Sequence, residues 1–300
     1  MKKMKHAILN EVLSPKLNKP LYHYTTQSGL LRIIRDRAMW VTHTQYLNDR
    51  REFVHAVDLV LNEIADLSGA SPAGSSRSES LKKMEQSLQL TPQSINVCVC
   101  SFSEDSDSLS QWRAYGAETS GFAIGFPPEL LTAATAAQQW YLAPCIYNRD
   151  RQREIIRSLV EEVLDENLSE PACDEADTDD YERSIRLQNG GNLIAYLNRY
   201  APILKDESFS EEKEWRIISR PLMNRSASFN FREGRTLLIP YSKIPLSTTN
   251  VPFCLRRIVI GPTPDERRSQ SSVNSFLMHA GVLEGVEVPV DISKVPYRAW

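Results

Sequence analysis

Apolar residues at positions 53, 57, 60, 64 and 67 recur every three or four residues and predict an amphipathic helix through EFVHAVDLVLNEIADL. It runs into SGASPAGSSRSES, whose small residues predict a flexible or cleavable loop near residues 68–80. A short helix is expected at SLKKMEQSLQL, then strands at INVCVCSF and GFAIGF separated by the helical turn SLSQWRAYG. WYLAPCIY reads as another strand, followed by helices around residues 150–168 and 182–206. The last third is richer in strands, at EWRIIS, RTLLIPY, RRIVIGP and VEVPV, with one helix near residues 265–280. Strand runs broken by helices without a βαβ rhythm predict an α+β fold with a mostly antiparallel sheet. No fixed period repeats, and neither G-x-G-x-x-G after a strand nor G-x-x-x-x-G-K-[ST] occurs, so the usual nucleotide-binding loops are not indicated.

Composition adds that the chain is globular. With 41% hydrophobic and 24% charged side chains over 300 residues, it can bury a core in one large domain or two small ones. The lysines of MKKMKHAILNEVL precede an apolar run too short for a signal peptide, and no window approaches the roughly 18 apolar residues of a membrane span. A soluble, cytoplasmic protein is expected. Five cysteines at irregular spacing, with Cys98 and Cys100 in a strand-like run, point to reduced core thiols rather than a disulfide framework. No metal site is expected, because the histidines are scattered and the Cys98/Cys100 pair has no second pair at finger-like spacing.

Charge is distributed unevenly. Eleven acidic residues and no basic one lie between Glu161 and Glu182, and removing them from a chain of net charge −3 leaves the remainder at +8. Such a run is ordinarily a solvated helix end and loop. The alternative is that the rest of the surface is basic enough to meet a polyanion such as nucleic acid.

Three stretches carry groups capable of chemistry. In LYHYTT, His23 and Thr25 are two apart on a strand and share a face, while Tyr22 and Tyr24 point the other way. A structural explanation exists for Thr25 as the N-cap of the following helix. CSFSEDSDSLSQWRAYG sets Ser101 and Ser103 on one strand face and then opens a helix carrying Trp112 and Tyr115, whose spacing also suits a plain core contact. SEEKEWRIISR sets Glu212 and Glu214 two apart, expected on a strand, where two same-face carboxylates repel unless a cation or a positively charged transition state lies between them.

The order H-x-T, then a serine-bearing strand, then E-x-E resembles the ADP-ribosyltransferase fold, in which the motif residues come from three strands lining one cleft. The opening YHYTTQSGLLRII is similar to the start of DNA-modifying DarT-type toxins, and more loosely to the H-G-T strand of poly-ADP-ribose polymerases and RNA 2′-phosphotransferases. From about residue 20 onward the chain resembles the bacterial family called domain of unknown function 2971, through LYHYTT, YLND, CSFSE, QWRAYG, GFAIGF, EKEWR and IVIGP.

The resemblance implies an extension over residues 1–20 and a single ADP-ribosyltransferase-like domain over 21–300, built on a split antiparallel sheet with an acidic helical insertion near 150–206. It implies NAD as substrate and no metal. Glu214 would hydrogen-bond the nicotinamide ribose and stabilise the oxocarbenium cation that forms as the glycosidic bond breaks. His23 would hold the other ribose, the backbone at Tyr24 would clamp the carboxamide, and Thr25 would support the ribose or the turn behind it. The clamp position is glycine in the H-G-T proteins and tyrosine here. Glu212 would orient the acceptor, as in arginine-specific transferases, although those enzymes carry arginine where this chain has His23. Ser101 and Ser103 would brace the glutamate, and Trp112 or Tyr115 would offer the face on which nicotinamide stacks. The expected activity is transfer of ADP-ribose to a macromolecule, nucleic acid favoured over protein, by a toxin or phage-defence effector that an antitoxin or other inhibitory partner could hold silent. Two other readings remain: a hydrolase, either an NAD glycohydrolase using the same residues or a metal-free nuclease built on His23 and Glu214, and a non-catalytic interaction module whose acidic run binds a partner.

Overall fold

The computed structural model describes residues 7–47, 51–90, 97–115, 121–169, 192–222, 228–234, 236–282 and 287–296. Asn48 and Asp49 of YLND, the acidic residues beyond Ser169 up to Glu182, and Cys173 lie outside them.

After α1 (Ala7–Val12), the first half comprises β1 (Leu21–Thr25), α2 (Gln27–Asp36), β2 (Ala38–His43), α3 (Arg51–Gly69), α4 (Ser76–Leu90), β3 (Cys98–Ser103) and α5 (Leu109–Tyr115). Then follow β4 (Phe122–Phe126), α6 (Pro128–Gln138), β5 (Tyr141–Pro144), α7 (Arg149–Ser169) and α8 (Asn192–Tyr200). The chain finishes with β6 (Glu214–Ile218), β7 (Asn230–Glu233), β8 (Leu238–Pro245), β9 (Arg257–Ile260), α9 (Glu266–His279) and β10 (Val290–Ile292). The fold is α+β with flanking helices, and every pairing between named strands is antiparallel except β9 with β10. Among the described residues no helix is long and apolar enough to cross a membrane.

The sheet runs β10-β9-β4-β1-β3-β2-β8-β7, with β6 and then β5 branching from β3. One edge of β3 is filled by β6 from Val99↔Ile218 to Ser103↔Glu214. Its other edge serves two strands. β1 meets it at Tyr22↔Ser103, and β2 meets it at Thr42↔Val99 and His43↔Cys98. The sheet therefore forks, and β1 and β2 part beside Cys100–Phe102.

Alternation along β3 divides the core. Val99 joins the cluster formed with α1, α3, α4, α7 and α8, through residues such as Leu9, Val60, Met84, Leu159 and Leu197. Cys98, Cys100 and Phe102 face the other cluster, with Ile33 and Ile34 of α2, Leu130 of α6 and Leu277 of α9. Cys98, Cys100 and Cys145 are free, buried thiols.

Local chemistry moves two expected boundaries. The N-cap of α2 is Thr26, whose side chain accepts from Gly29 N at 3.3 Å, rather than Thr25. Thr25 instead lies against the first turn, where a Cβ on Gly29 would come 1.9 Å from its Oγ1. Helix α4 starts at Ser76, inside the stretch expected to be loop, because the Ser75 hydroxyl accepts from Ser78 N and caps the first turn.

Candidate functional site

The site is built where the start of β6 meets the chain around Lys205. Residues 201–203 form a 3-10 turn after α8, and Leu204 makes a parallel bridge to Ile146. Gln152, in the first turns of α7, fixes this joint by donating its side-chain amide to Ile146 O and, at 2.7 Å, to Lys205 O. The Gln152 carbonyl end is held in turn by His55 of α3 at 3.0 Å. The lysine is thus aimed by backbone and second-layer contacts rather than by its own long side chain.

Lys205 Nζ lies 2.5 Å from Glu212 Oε2 and 2.5 Å from Glu214 Oε2. Arg216 grips the same Glu214 carboxylate from the other side, with Nε 2.7 Å from Oε1 and Nη2 3.1 Å from Oε2, while its Nη1 donates to Pro202 O. The Cys145 thiol donates to Glu214 Oε2 at 3.6 Å. Glu214 is only 4% exposed. Burial alone would raise its pKa, but Arg216 and Lys205 override it and hold the carboxyl lowered to about 2. Burial likewise pulls down the pKa of Lys205, and the Glu214 charge more than reverses that, so the ammonium stays charged. A carboxylate locked in its anionic form, with Oε1 accepting only from Arg216 Nε among the described residues, retains lone-pair capacity for a cation.

Glu212 is not on the strand. It closes a 3-10 turn over Glu207–Glu212, Lys213 takes a left-handed conformation, and β6 begins at Glu214. The repulsion expected between two carboxylates on one strand face is answered by that break in the backbone and by the shared ammonium of Lys205. Ser103 Oγ donates to the Glu212 carbonyl at 2.8 Å and accepts from Asp105 N, so it braces the turn carrying Glu212. Ser101 and Ser103 lie on the Glu214 face of the sheet, since Ser101↔Arg216 and Ser103↔Glu214 are direct cross-strand partners.

Tyr22, Ser103 and Glu214 form one row across β1, β3 and β6. Alternation then puts Tyr24 on that face and His23 and Thr25 on the opposite one. The structure therefore brings Glu212, Glu214, Ser101 and Ser103 together and leaves His23 and Thr25 on the far side. The His23 ring packs against Phe102 at 5.7 Å, and its Nδ1 donates to Ser101 O at 2.9 Å, bonding β3 where the fork opens. Burial lowers its pKa below the usual 6.5, against the pull of that hydrogen bond, so the ring is neutral. Its Nε2 has no partner among the described residues.

The two aromatics divide. Trp112 is 1% exposed, donates Nε1 to Asp107, makes an edge contact with Tyr24 and rests on Gly261, where a Cβ would come 2.9 Å from its ring. It is core. The Tyr24 hydroxyl is also engaged, donating to Asp105 O and accepting from Ser108 N. Tyr115 is 40% exposed, and its pKa is pushed up to about 12 by burial of the phenol and then by the charges of Glu214 and Glu212. Of the two, Tyr115 is the aromatic that looks onto the carboxylates.

Lys205 and Cys145 escaped sequence reasoning because neither belongs to a motif. Arg216 was visible within EKEWR, but its spacing from Glu214, two along a strand, was the available signal for an ion pair. Among the described residues no group of His, Cys, Asp or Glu is arranged to hold a metal ion.

The fold and site define an α+β protein whose mostly antiparallel sheet carries a charge-balanced cluster of two glutamates, a lysine and an arginine. Residues 111–217 match the family described as "Protein of unknown function (DUF2971)", the resemblance expected from the motif string. The matched stretch contains Trp112, Tyr115, Cys145, Lys205, Glu212, Glu214 and Arg216, and ends before the strands that complete the second core. No curated protein and no solved structure matches the chain.

Proposed function

We propose that the protein is an NAD-dependent ADP-ribosyltransferase of toxin or defence type that modifies a macromolecule, nucleic acid favoured over protein. The observation that carries this reading is the adjacency of the three motif strands: β6 with Glu214, β3 with Ser101 and Ser103, and β1 with His23 are consecutive neighbours in the sheet. The resemblance asks for three such strands side by side, and it also asks for one shared cleft, from which His23 departs by facing the other side of the sheet.

The chemistry follows from the charges. When the bond between nicotinamide and ribose breaks, its electron pair leaves with nicotinamide and a cation develops on the ribose. The ionised Glu214, fixed between Arg216 and Lys205, requires no reorganisation to face that cation. The acceptor's nucleophilic oxygen or nitrogen then bonds to the ribose carbon and gives up its proton. Tyr115 is the aromatic available to stack on nicotinamide. His23 approaches from the other face, so its contact with a ribose runs through the gap where β1 and β2 part.

A second reading is favoured by one observation. Glu212 is tied to Lys205 rather than free to orient an acceptor, which suits an NAD glycohydrolase with water as acceptor. One experiment separates the two. The purified protein is incubated with adenylate-labelled NAD and whole-cell lysate, and free nicotinamide, nucleic acid and protein fractions are assayed. Label in a macromolecular fraction supports transfer, nicotinamide without such label supports hydrolysis, and no nicotinamide removes both.

A further inference from the structure

The wing of the sheet beyond the fork carries a second cluster that the chemistry above does not use. On the face of β2 and β8 shared by Trp40, Thr42, Tyr241 and Lys243, the rings of Trp40 and Tyr241 stack at 4.2 Å. The Arg32 guanidinium, from α2, lies 4.7 Å over the Trp40 ring, and Lys243 Nζ is 5.9 Å from it. Arg232 of β7 reaches in from the next strand and donates to Thr42 Oγ1 at 3.3 Å.

Apart from the Thr42 hydroxyl, which accepts from Arg232, the cluster is made of donors. Among the described residues neither Arg32 nor Arg232 has a carboxylate partner, while Lys243 is paired with Asp36 at 3.1 Å. Trp40 Nε1 and Arg232 Nε are buried without any hydrogen-bond partner. Buried orphan donors are rare, and two in this cluster, with two guanidiniums that have no carboxylate partner among the described residues, call for an acceptor that carries negative charge. Burial lowers the pKa of Arg232, and the positive charge of Arg32 lowers it further. Crowding like charges costs stability, and an anion between them relieves that cost.

We propose that Arg32, Arg232 and Trp40 form a binding site for the phosphate groups of a nucleotide or polynucleotide on the outer wall of the fork. Planar guanidiniums match phosphate oxygens with paired donors, and stacking on Trp40 fixes the plane of Arg32 before the ligand arrives. Thr42 is opposite Val99 and Glu214 opposite Ser103 on the same sheet face, four residues along β3. The offset along β3 is about 13 Å, β2 and β6 flank β3 on opposite edges, and Val99 between them is buried under helices, so the two clusters are separate places on one sheet face. Binding does not depend on the proposed bond cleavage, so it is tested without turnover.

Wild-type protein is titrated with inorganic phosphate, with NAD, and with a fluorescein-labelled single-stranded oligonucleotide. The same titrations are made on Arg32→Gln, Arg232→Gln, the double variant and Trp40→Phe, with thermal unfolding of each. The expected result is that each arginine variant weakens at least one phosphate ligand by roughly tenfold. For the oligonucleotide, the salt dependence becomes shallower by about one counterion per arginine lost. Trp40→Phe keeps the stack but removes the donor, and weakens the same ligand. Unfolding temperatures of the arginine variants stay level or rise, because a like-charge repulsion has been removed, and the affinity of Trp40→Phe is read below its own unfolding temperature. An effect on NAD alone assigns the site to a dinucleotide, and an effect on the oligonucleotide alone assigns it to a polynucleotide. Unchanged affinity in the double variant, no binding of any probe by wild type, or weakening only in step with a lowered unfolding temperature would overturn the proposal.

Discussion

The ammonium of Lys205 and the carboxylate of Glu214 meet at 2.5 Å with both side chains almost wholly buried. Because the same ammonium also holds Glu212, this one contact joins a 3-10 turn, the start of β6 and the bridge at Ile146↔Leu204. Lys205→Met should cost about 3 kcal/mol, since it leaves Glu214 buried with half its compensation and exposes Glu212 to its repulsion. Lys205→Arg, which keeps the charge, should recover part of that. Urea unfolding of the three proteins checks both statements, and an unchanged midpoint in Lys205→Met would mean that the pair contributes nothing.

The acid side of the stability curve should report Glu214. Its carboxyl is lowered from 4.5 to about 2 in the folded state, so the unfolded chain binds a proton that the folded one refuses. The contribution is present in full above pH 4.5 and is lost as pH falls through about 2. Its size is about 3 kcal/mol by proton linkage. Thermal unfolding followed downward from pH 6 should show that decline in wild type and a flatter curve in Glu214→Gln. A decline of equal size in both would place the linked proton elsewhere.

Glu214→Gln also tests the proposed bond cleavage. Glutamine preserves shape but faces two buried cations without a charge, so the variant should lose roughly 3 kcal/mol of stability as well as orders of magnitude in nicotinamide release. The rate is therefore measured on protein shown to be folded at the assay temperature. Full release from folded Glu214→Gln would remove the transferase and glycohydrolase mechanisms together.

Much of the fold was legible because burial writes a period into the chain. INVCVCSF and GFAIGF became β3 and β4, EWRIIS and RRIVIGP became β6 and β9, and the three-and-four pattern of residues 57–67 became α3. β2 was missed because AMWVTH follows α2 after a single left-handed residue, Arg37, with no turn signal to separate helix from strand. β7 was missed because NFRE is a short, half-exposed strand at the sheet edge whose polarity is what an edge requires. In the candidate site, the motifs gave Glu212, Glu214, Ser101 and Ser103 by spacing. Lys205 arrives through a tertiary bridge, which has no local signature. The face of His23 depended on the register Tyr22↔Ser103, and register is set across strands.

His23 offers a test that separates folding from binding. Its pKa lies below 6.5 because burial disfavours the charged ring, so its contribution is complete above that value and is lost as pH falls through the folded pKa. In His23→Asn the amide nitrogen takes the place of Nδ1 and keeps the bond to Ser101 O, but nothing titrates and the Nε2 acceptor is gone. Stability below pH 6.5 should become less pH-dependent, while NAD affinity, measured by calorimetry, should weaken more than the pH profile of turnover changes. Loss of an ionisation from the pH–rate profile at unchanged affinity would instead make His23 a general acid.

Glu212 is the residue on which the two proposed outcomes, transfer and hydrolysis, can be told apart. It lies beside Glu214 yet off the strand, shares Lys205 with it, and is the more exposed of the two, at 23% of its side chain against 5%. On the proposed mechanism an incoming nucleophile can therefore reach Glu212 without disturbing Glu214. Glu212→Gln keeps the turn, because Ser103 holds the backbone carbonyl rather than the carboxylate. Lys205 remains paired with Glu214, so the stability cost should stay near that of a partly exposed ion pair, about 1 kcal/mol. If Glu212 orients the acceptor, attachment of ADP-ribose to a macromolecule should fall at least tenfold while nicotinamide release continues, turning the protein into a hydrolase. Both products are measured in one reaction. Parallel loss of the two would mean that Glu212 acts through Lys205 on Glu214 itself, and loss of neither would leave it a structural partner of the lysine.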